Sequence, residues 1–267
     1  LYLLFFLSSC LLRHFYCDNM RGETAIQHLP NTSSITLKRL ITLGIHTYED
    51  LLNYFPFRYE NYSHISTIGR IQLTEKITLK GRVISVKNEY TKKGKNIQKV
   101  NITDGDRHIS LIWFHQPFIT RTIRPHQYIS VSGTMNPFAQ LLVMYVEQYE
   151  ILNSLEDNTI HTGRLIPIYP EIRGLSSRTL REKIWHVLAH SIPDEIFPSS
   201  LIAAYHLMDE KDAYRNIHFP HTLEKADEAR HRLSFDELCI IQLASYMVKK
   251  EWAKEKTNKP LHITQTM

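Results

Sequence analysis

The sequence predicts an α+β fold built around a five-stranded barrel, and three observations carry that reading. Between Ser63 and Leu152 apolar and polar residues alternate with period two, whereas on both sides they recur at helical spacing. Five alternating runs fall within roughly 80 residues, too few for a sandwich, which usually needs about seven. A connection of about a dozen residues, His115 to His126, separates the third run from the fourth, which is the spacing of a Greek-key OB barrel.

An apolar run of about a dozen residues opens the chain, short of the roughly 18 that a membrane span needs. Leu7-Ser8-Ser9-Cys10 has the form of a lipoprotein cleavage box, but no basic residue precedes it and the chain does not begin with methionine. Residues 1–19 are therefore expected to be an apolar leader outside the fold, with translation starting at Met20. Residues 20–62 are predicted to form a helical hairpin. Leu37, Leu40, Ile41 and Leu43 make one stripe that stops at Gly44, and Tyr48 to Tyr54 make a second that Pro56 ends. The tract Pro30 to Ser34 lacks the glycine that a phosphate-binding hairpin turn requires, so the hairpin reads as packing.

The barrel is predicted over residues 63–152. Ile77, Leu79, Gly81 and Val83 mark the first strand, and the polar turn Tyr90 to Asn96 leads to a second through Val100 and Ile102. Ile109, Leu111 and Trp113 give the third, Tyr128 to Gly133 the fourth and Leu141 to Tyr149 the fifth. Residues 153–267 turn helical, with helices expected near Ser176 to Ser191, Ser199 to Met208 and Leu233 to Glu255. Ser176 is the N-cap of the first, and Asp209 to Pro220 reads as a loop or short helical turn.

Composition excludes several chemistries. The nine glycines never form GxxxxGK[ST] or GxGxxG, so no P-loop or dinucleotide fingerprint is present. The three cysteines contain no CxxC pair, which removes a zinc ribbon and a disulfide framework and points to a reducing, cytoplasmic setting. Glu182, His186 and His190 lie a helical turn apart, but fifteen histidines make that spacing unsurprising and no HExxH follows, so no metal is expected. Adjacent acids such as Asp236 and Glu237 diverge on a helix, and no serine sits in a GxSxG elbow, so no catalytic residue is nominated.

The net charge of +5 favours a polyanionic partner. At the end of the third strand Trp113 and Leu111 should face the core while Phe114 faces out. Phe114 and Phe118 lie beside Arg121 and Arg124, and the first hairpin carries Lys87, Lys92, Lys93, Lys95 and Lys99. Aromatics interleaved with cations on an OB barrel suit base stacking and phosphate attraction; packing of both rings onto neighbouring helices is the alternative.

Four separated stretches carry a resemblance: Asp50 to Glu60, Trp113 to Phe118, Pro167 to Pro170 with Gly174-Leu175-Ser176, and Ile217 to Pro220 followed by Ala229 to Leu238. In this order they resemble the N-terminal half of the bacterial RecG branch-migration helicases. The resemblance implies that residues 63–152 are a wedge that splits the arms of a fork or Holliday junction, with Phe114 and Phe118 stacking on unpaired bases. It also implies that residues 153–267 lead towards a two-lobed motor. ATP and magnesium would belong to that motor, which this chain lacks and which would be joined in cis or supplied in trans. The sequence departs from the family at Asn31 to Ser34, where a glycine hairpin is usual, at His115, where asparagine is usual, and at Asn61, where an acid is usual. The expectation is a monomeric branched-DNA-binding module for recombination and repair, needing no cofactor and showing no ATPase activity of its own. A stand-alone single-stranded nucleic-acid-binding protein and a protein-interaction module remain as alternatives.

Overall fold

The computed structural model describes residues 24–69, 76–90, 94–138 and 141–254. The apolar leader 1–19 and the candidate contacts Lys92 and Lys93 lie outside the described residues.

After a 3₁₀ turn at Ile26–His28, helix α1 (Ser34–Thr42) starts at Ser33, whose Oγ accepts the Thr36 N–H at 3.1 Å. That bond satisfies one of the donors every helix start leaves open. The helix stops where Gly44 takes a φ of +81° and donates to Ile41 O while Ile45 donates to Leu40 O, a closure glycine permits because it has no Cβ to clash. Helix α2 (Tyr48–Leu52) opens on a capping box of Thr47 and Asp50. It ends two residues short of the Tyr54 that the apolar stripe reaches. Arg58–Asn61, which the sequence reading places in the hairpin segment, forms a strand, β1.

The barrel consists of β2 (Lys76–Tyr90), β3 (Asn96–Thr103), β4 (His108–Phe114), β5 (Tyr128–Phe138) and β6 (Leu141–Leu152). Their order is β2-β3-β4-β6-β5, and β2 also pairs with β5, so the sheet closes on itself. All pairings are antiparallel except β4 with β6, which run parallel. Alternation sends Ile77, Leu79, Val100, Ile102, Leu111, Trp113, Ile129 and Val131 inward, where each is at most 2% exposed. A register shift between Ser132 and Gly133 lets β6 turn over. Gly133 is needed there, because a Cβ would collide with the Tyr145 carbonyl. The connection after β4 contains a short helix, α3 (Ile119–Thr122), whose first residue Ile119 and C-cap Ile123 join the barrel core.

Beyond the barrel, β7 (Leu165–Ile168) pairs antiparallel with β1, Asn61 opposite Leu165 and Arg58 opposite Ile168. Helix α4 (Ser177–His190) begins at the expected cap, with Ser176 Oγ accepting the Thr179 N–H at 3.3 Å. Then follow α5 (Ser199–Ala204), α6 (Glu210–His218) and α7 (Leu223–Trp252). Three differences from the sequence reading appear: α5 stops at Ala204, the stretch from Asp209 to Pro220, read as a loop or short helical turn, holds the nine-residue helix α6, and α7 starts ten residues before Leu233. Asp209 Oδ1 accepting the Lys211 N–H at 2.9 Å and Thr222 Oγ1 accepting the Lys225 N–H at 3.3 Å are the caps that start α6 and α7.

The helices before and after the barrel share one core, in which Leu40 and Leu51 meet Tyr169, Leu180, Ile184, Tyr214 and Ile217. His218 joins three parts of it, donating from Nε2 to Leu52 O at 2.8 Å and accepting the Tyr169 hydroxyl at Nδ1 at 2.9 Å. Burial pushes this imidazole down to about 4. A second buried polar centre surrounds Arg232, which is 0% exposed and reaches Glu195 at 2.7 Å, Asp236 at 2.7 Å and Glu210 at 3.7 Å. Burial and then Asp236 push Glu210 up to about 7, whereas Glu195, against its own burial, is held down to about 2 by hydrogen bonds from Arg232. No helix among the described residues is long and apolar enough to cross a membrane.

Candidate nucleic-acid interface

The end of β4 fixes the position of both candidate rings. Trp113 is 2% exposed and meets Tyr149 edge-on at 6.0 Å inside the barrel, whereas its neighbour Phe114 points outward and is 36% exposed. Phe114 lies opposite Ile97 of β3 and edge-on to Tyr145 of β6, with ring centroids 5.0 Å apart. The register shift in β6 explains how Tyr145 serves the outer face and Tyr149 the inner one. Ile97, Ile112 and Val143 form a small buried patch on this outer face beside Tyr145. Phe114 therefore combines partial packing with an accessible edge.

The chain turns sharply after it. His115 adopts φ of +55°, and its N–H donates to Asn96 O at 3.2 Å. Asparagine and histidine are both enriched in this left-handed region, so the histidine found where the resemblance leads one to expect asparagine keeps the turn. Gln98, buried on β3, accepts the Gln116 N–H at 2.8 Å and donates at 2.8 Å to Asn88 and to Asn96. It ties the β2–β3 ribbon to the loop that carries Phe118. A glutamine at an inward position of an alternating strand was the signal for it in the sequence.

The nominated cations divide. Lys87 and Lys99 are direct cross-strand partners, and Lys99 lies opposite Ile112, so both occupy the outer face that carries Phe114. Lys95 is exposed in the turn of the ribbon. Arg121 and Arg124 are exposed in the connection after β4. Phe118, 52% exposed, caps α3 with its carbonyl and does not share the Phe114 face.

Phe118 instead lines a cleft of about 640 Å³ between the barrel and the start of α4. Phe57, Arg58, Tyr149, Arg178 and Arg181 share it. The Arg178 guanidinium stacks 5.0 Å from the Tyr149 ring, donates to Tyr149 O at 2.8 Å and lies 3.6 Å from Glu182. Glu182 also pairs with His161 at 3.1 Å, so the acid of the His186–His190 triplet is directed elsewhere. Sequence reasoning missed this wall. Only the first turn of α4 is free of acids, and Glu182 follows Arg181 directly, so the charge pattern there is that of an ordinary exposed helix face.

A family model described as the RecG wedge domain matches residues 27–190. The chain is 31% identical over 244 residues to the ATP-dependent DNA helicase RecG of Thermotoga maritima, covering 87% of this chain and 30% of that protein. Its identity to the Bacillus subtilis protein of the same description is 28% over 232 residues, covering 85% of this chain and 33% of that one. A solved structure described as RecG bound to a three-way DNA junction is similar with a TM-score of 0.66 and 28% identity, covering 88% of this chain and 32% of that chain. The chain thus spans about a third of the length of the curated relatives it matches.

Proposed function

The chain belongs to the RecG wedge-domain family, and from that membership we propose that it binds branched DNA as the wedge portion of a RecG-like helicase. The observation that carries the proposal is the outer face of the barrel, where Phe114 keeps about a third of its surface exposed on the same face as the paired Lys87 and Lys99. In this reading the barrel is an OB fold, since a five-stranded closed sheet with a long connection after its third strand is that architecture.

The division of labour follows from the chemistry of each group. Lysines at positions 87, 95 and 99 and the arginines at 121 and 124 draw in phosphates without reading sequence. Phe114 and Phe118 each offer a flat apolar surface to a base that has lost its partner at a branch, a contact contributing about 1–3 kcal/mol. Unpaired bases exist at a branch and not along a duplex, so the rings favour branches over duplex. Holding the arms apart costs no covalent chemistry, and the sequence has no P-loop. ATP hydrolysis and its magnesium are assigned to a motor joined to the wedge or associated with it.

Fluorescence anisotropy with a three-way junction, a matched duplex and a matched single strand tests the proposal. The chain should bind the junction most tightly. Equal or tighter binding to the single strand would replace the wedge reading with that of a single-strand-binding protein, and no binding to any of them with that of an interaction module.

A further inference from the structure

Arg181 is the most deeply buried cation of the cleft beside Phe118, at 2% exposure. Among the described residues its Nε and Nη1 have no acceptor, and its Nη2 makes one long bond to Gln148 Oε1 at 3.3 Å. A buried guanidinium is costly unless an anion or a full set of acceptors meets it. The carboxylates lining the cleft do not supply that anion. Glu147 accepts from Lys76 Nζ and from the Tyr62 hydroxyl, each at 2.6 Å, and Glu171 accepts the Ser177 N–H at 2.7 Å. Arg58 has Glu60 at 3.1 Å and Arg178 has Glu182 at 3.6 Å. Burial, and then the neighbouring Arg178, bring Arg181 down to about 10, outweighing the opposite pull of Tyr169, Tyr62 and Glu150. The start of α4 faces the same space, adding its positive dipole end.

We infer that the cleft between the barrel and α4 seats one backbone phosphate of the strand whose base stacks on Phe118, with Arg181 as its main donor and Gln148 the group displaced. The inference rests on the branched-DNA reading and adds a defined polar contact to it. Guanidinium suits this role because its fork can present two parallel donors to one phosphate. Nε and Nη1 are closed off while Gln148 is in place, so its displacement is part of the seat. Gln148 is the group that yields, since its amide acceptor is uncharged and its 3.3 Å bond is long.

A methylphosphonate scan tests it, with the full chain bound to a three-way junction and to the matched single strand. Each phosphate within a few nucleotides of the branch is neutralised in turn, for the unaltered chain and for Arg181→Met. One position should weaken the unaltered chain about ten- to a hundredfold, and the same position should be nearly silent in Arg181→Met. That variant should also lower the salt slope of binding by about 0.7–0.9. If Arg181→Met fails to fold, Arg181→Lys takes its place, and the sensitivity at that position should fall without vanishing. No sensitive position in the unaltered chain, or equal sensitivity in the variant, overturns the phosphate seat. Loss of junction preference in the unaltered chain overturns the wedge reading instead, and the single-strand scan then still reports on Arg181.

Discussion

Replacing Phe114, Phe118 and Trp113 one at a time separates stacking from packing, because the three rings differ in how much of each is covered. Trp113 is 2% exposed and meets Tyr149 edge-on, so Trp113→Ala should lower stability by about 3–5 kcal/mol. Phe114 is 36% exposed, so roughly two thirds of it is covered and its truncation forfeits about 1–2 kcal/mol of burial. Its edge-on contact with Tyr145 adds about 0.5–1.5 kcal/mol. Phe118 is 52% exposed, and its truncation should cost about 1 kcal/mol. Thermal melts give these costs, and anisotropy titrations with a three-way junction, run well below every midpoint, give the binding. Alanine at either phenylalanine should weaken junction binding by about 1–3 kcal/mol with an unchanged salt slope, since no charge is removed. Phe114→Leu keeps apolar contact with Tyr145 and loses the flat ring, so it should melt nearly normally and still bind weakly. If both alanine variants melt early yet bind junctions normally once folded, the rings belong to the packing and the stacking argument fails.

Lys87→Ala and Lys99→Ala should each reduce the salt slope of junction binding by about 0.9 while leaving the melting point level or higher, because each relieves a like-charge cross-strand pair. Gel-shift titrations across a salt series would show it, and an unchanged slope removes that lysine from the DNA surface. Glu210, raised from 4.5 to about 7, contributes stability that is full below about 4.5 and lost as pH rises through 7, by up to about 3 kcal/mol. Glu210→Gln should therefore be most stabilising above pH 7, and a pH-independent effect in denaturant melts would refute the assignment. His218, lowered from 6.5 to about 4, contributes stability present above about 6.5 and lost as pH falls through 4. His218→Gln should flatten that acid limb while costing about 2–3 kcal/mol at neutral pH through its lost hydrogen bonds to Tyr169 and Leu52, which urea titrations at pH 4.5 and 7.5 would measure.

The barrel was legible because period-two alternation marks most of its strands, although β6 opens on a continuous apolar run from Leu141 to Val146, and Phe114 was legible for the same reason, one residue out of phase with Trp113. Strands β1 and β7 were not, since four residues are too few to show a period and Pro167 interrupts the second. The start of α7 was hidden by the charged run Glu224 to Arg232, whose Arg232 is buried by carboxylates from other segments. The Phe118 cleft escaped notice for a topological reason. Its second wall comes from α4, far along the chain, and no local pattern announces that Arg178 and Arg181 turn back towards the barrel.

The pairing of β1 with β7 sets Asn61 beside Leu165, so the chain leaves for the barrel and returns from it through neighbouring residues. Antiparallel partners lie about 4.5–5.5 Å apart, a gap that a tight turn can bridge. The barrel is therefore an insert with adjacent stems, and the helices before and after it complete their shared core without needing its strands. Joining Asn61 to Leu165 through a short turn should leave a helical remnant that keeps the two-stranded β1–β7 sheet. Grafting a foreign β-barrel whose ends meet at the same spacing onto those stems is then a matter of matching two residues, and the recipient core need not be redesigned.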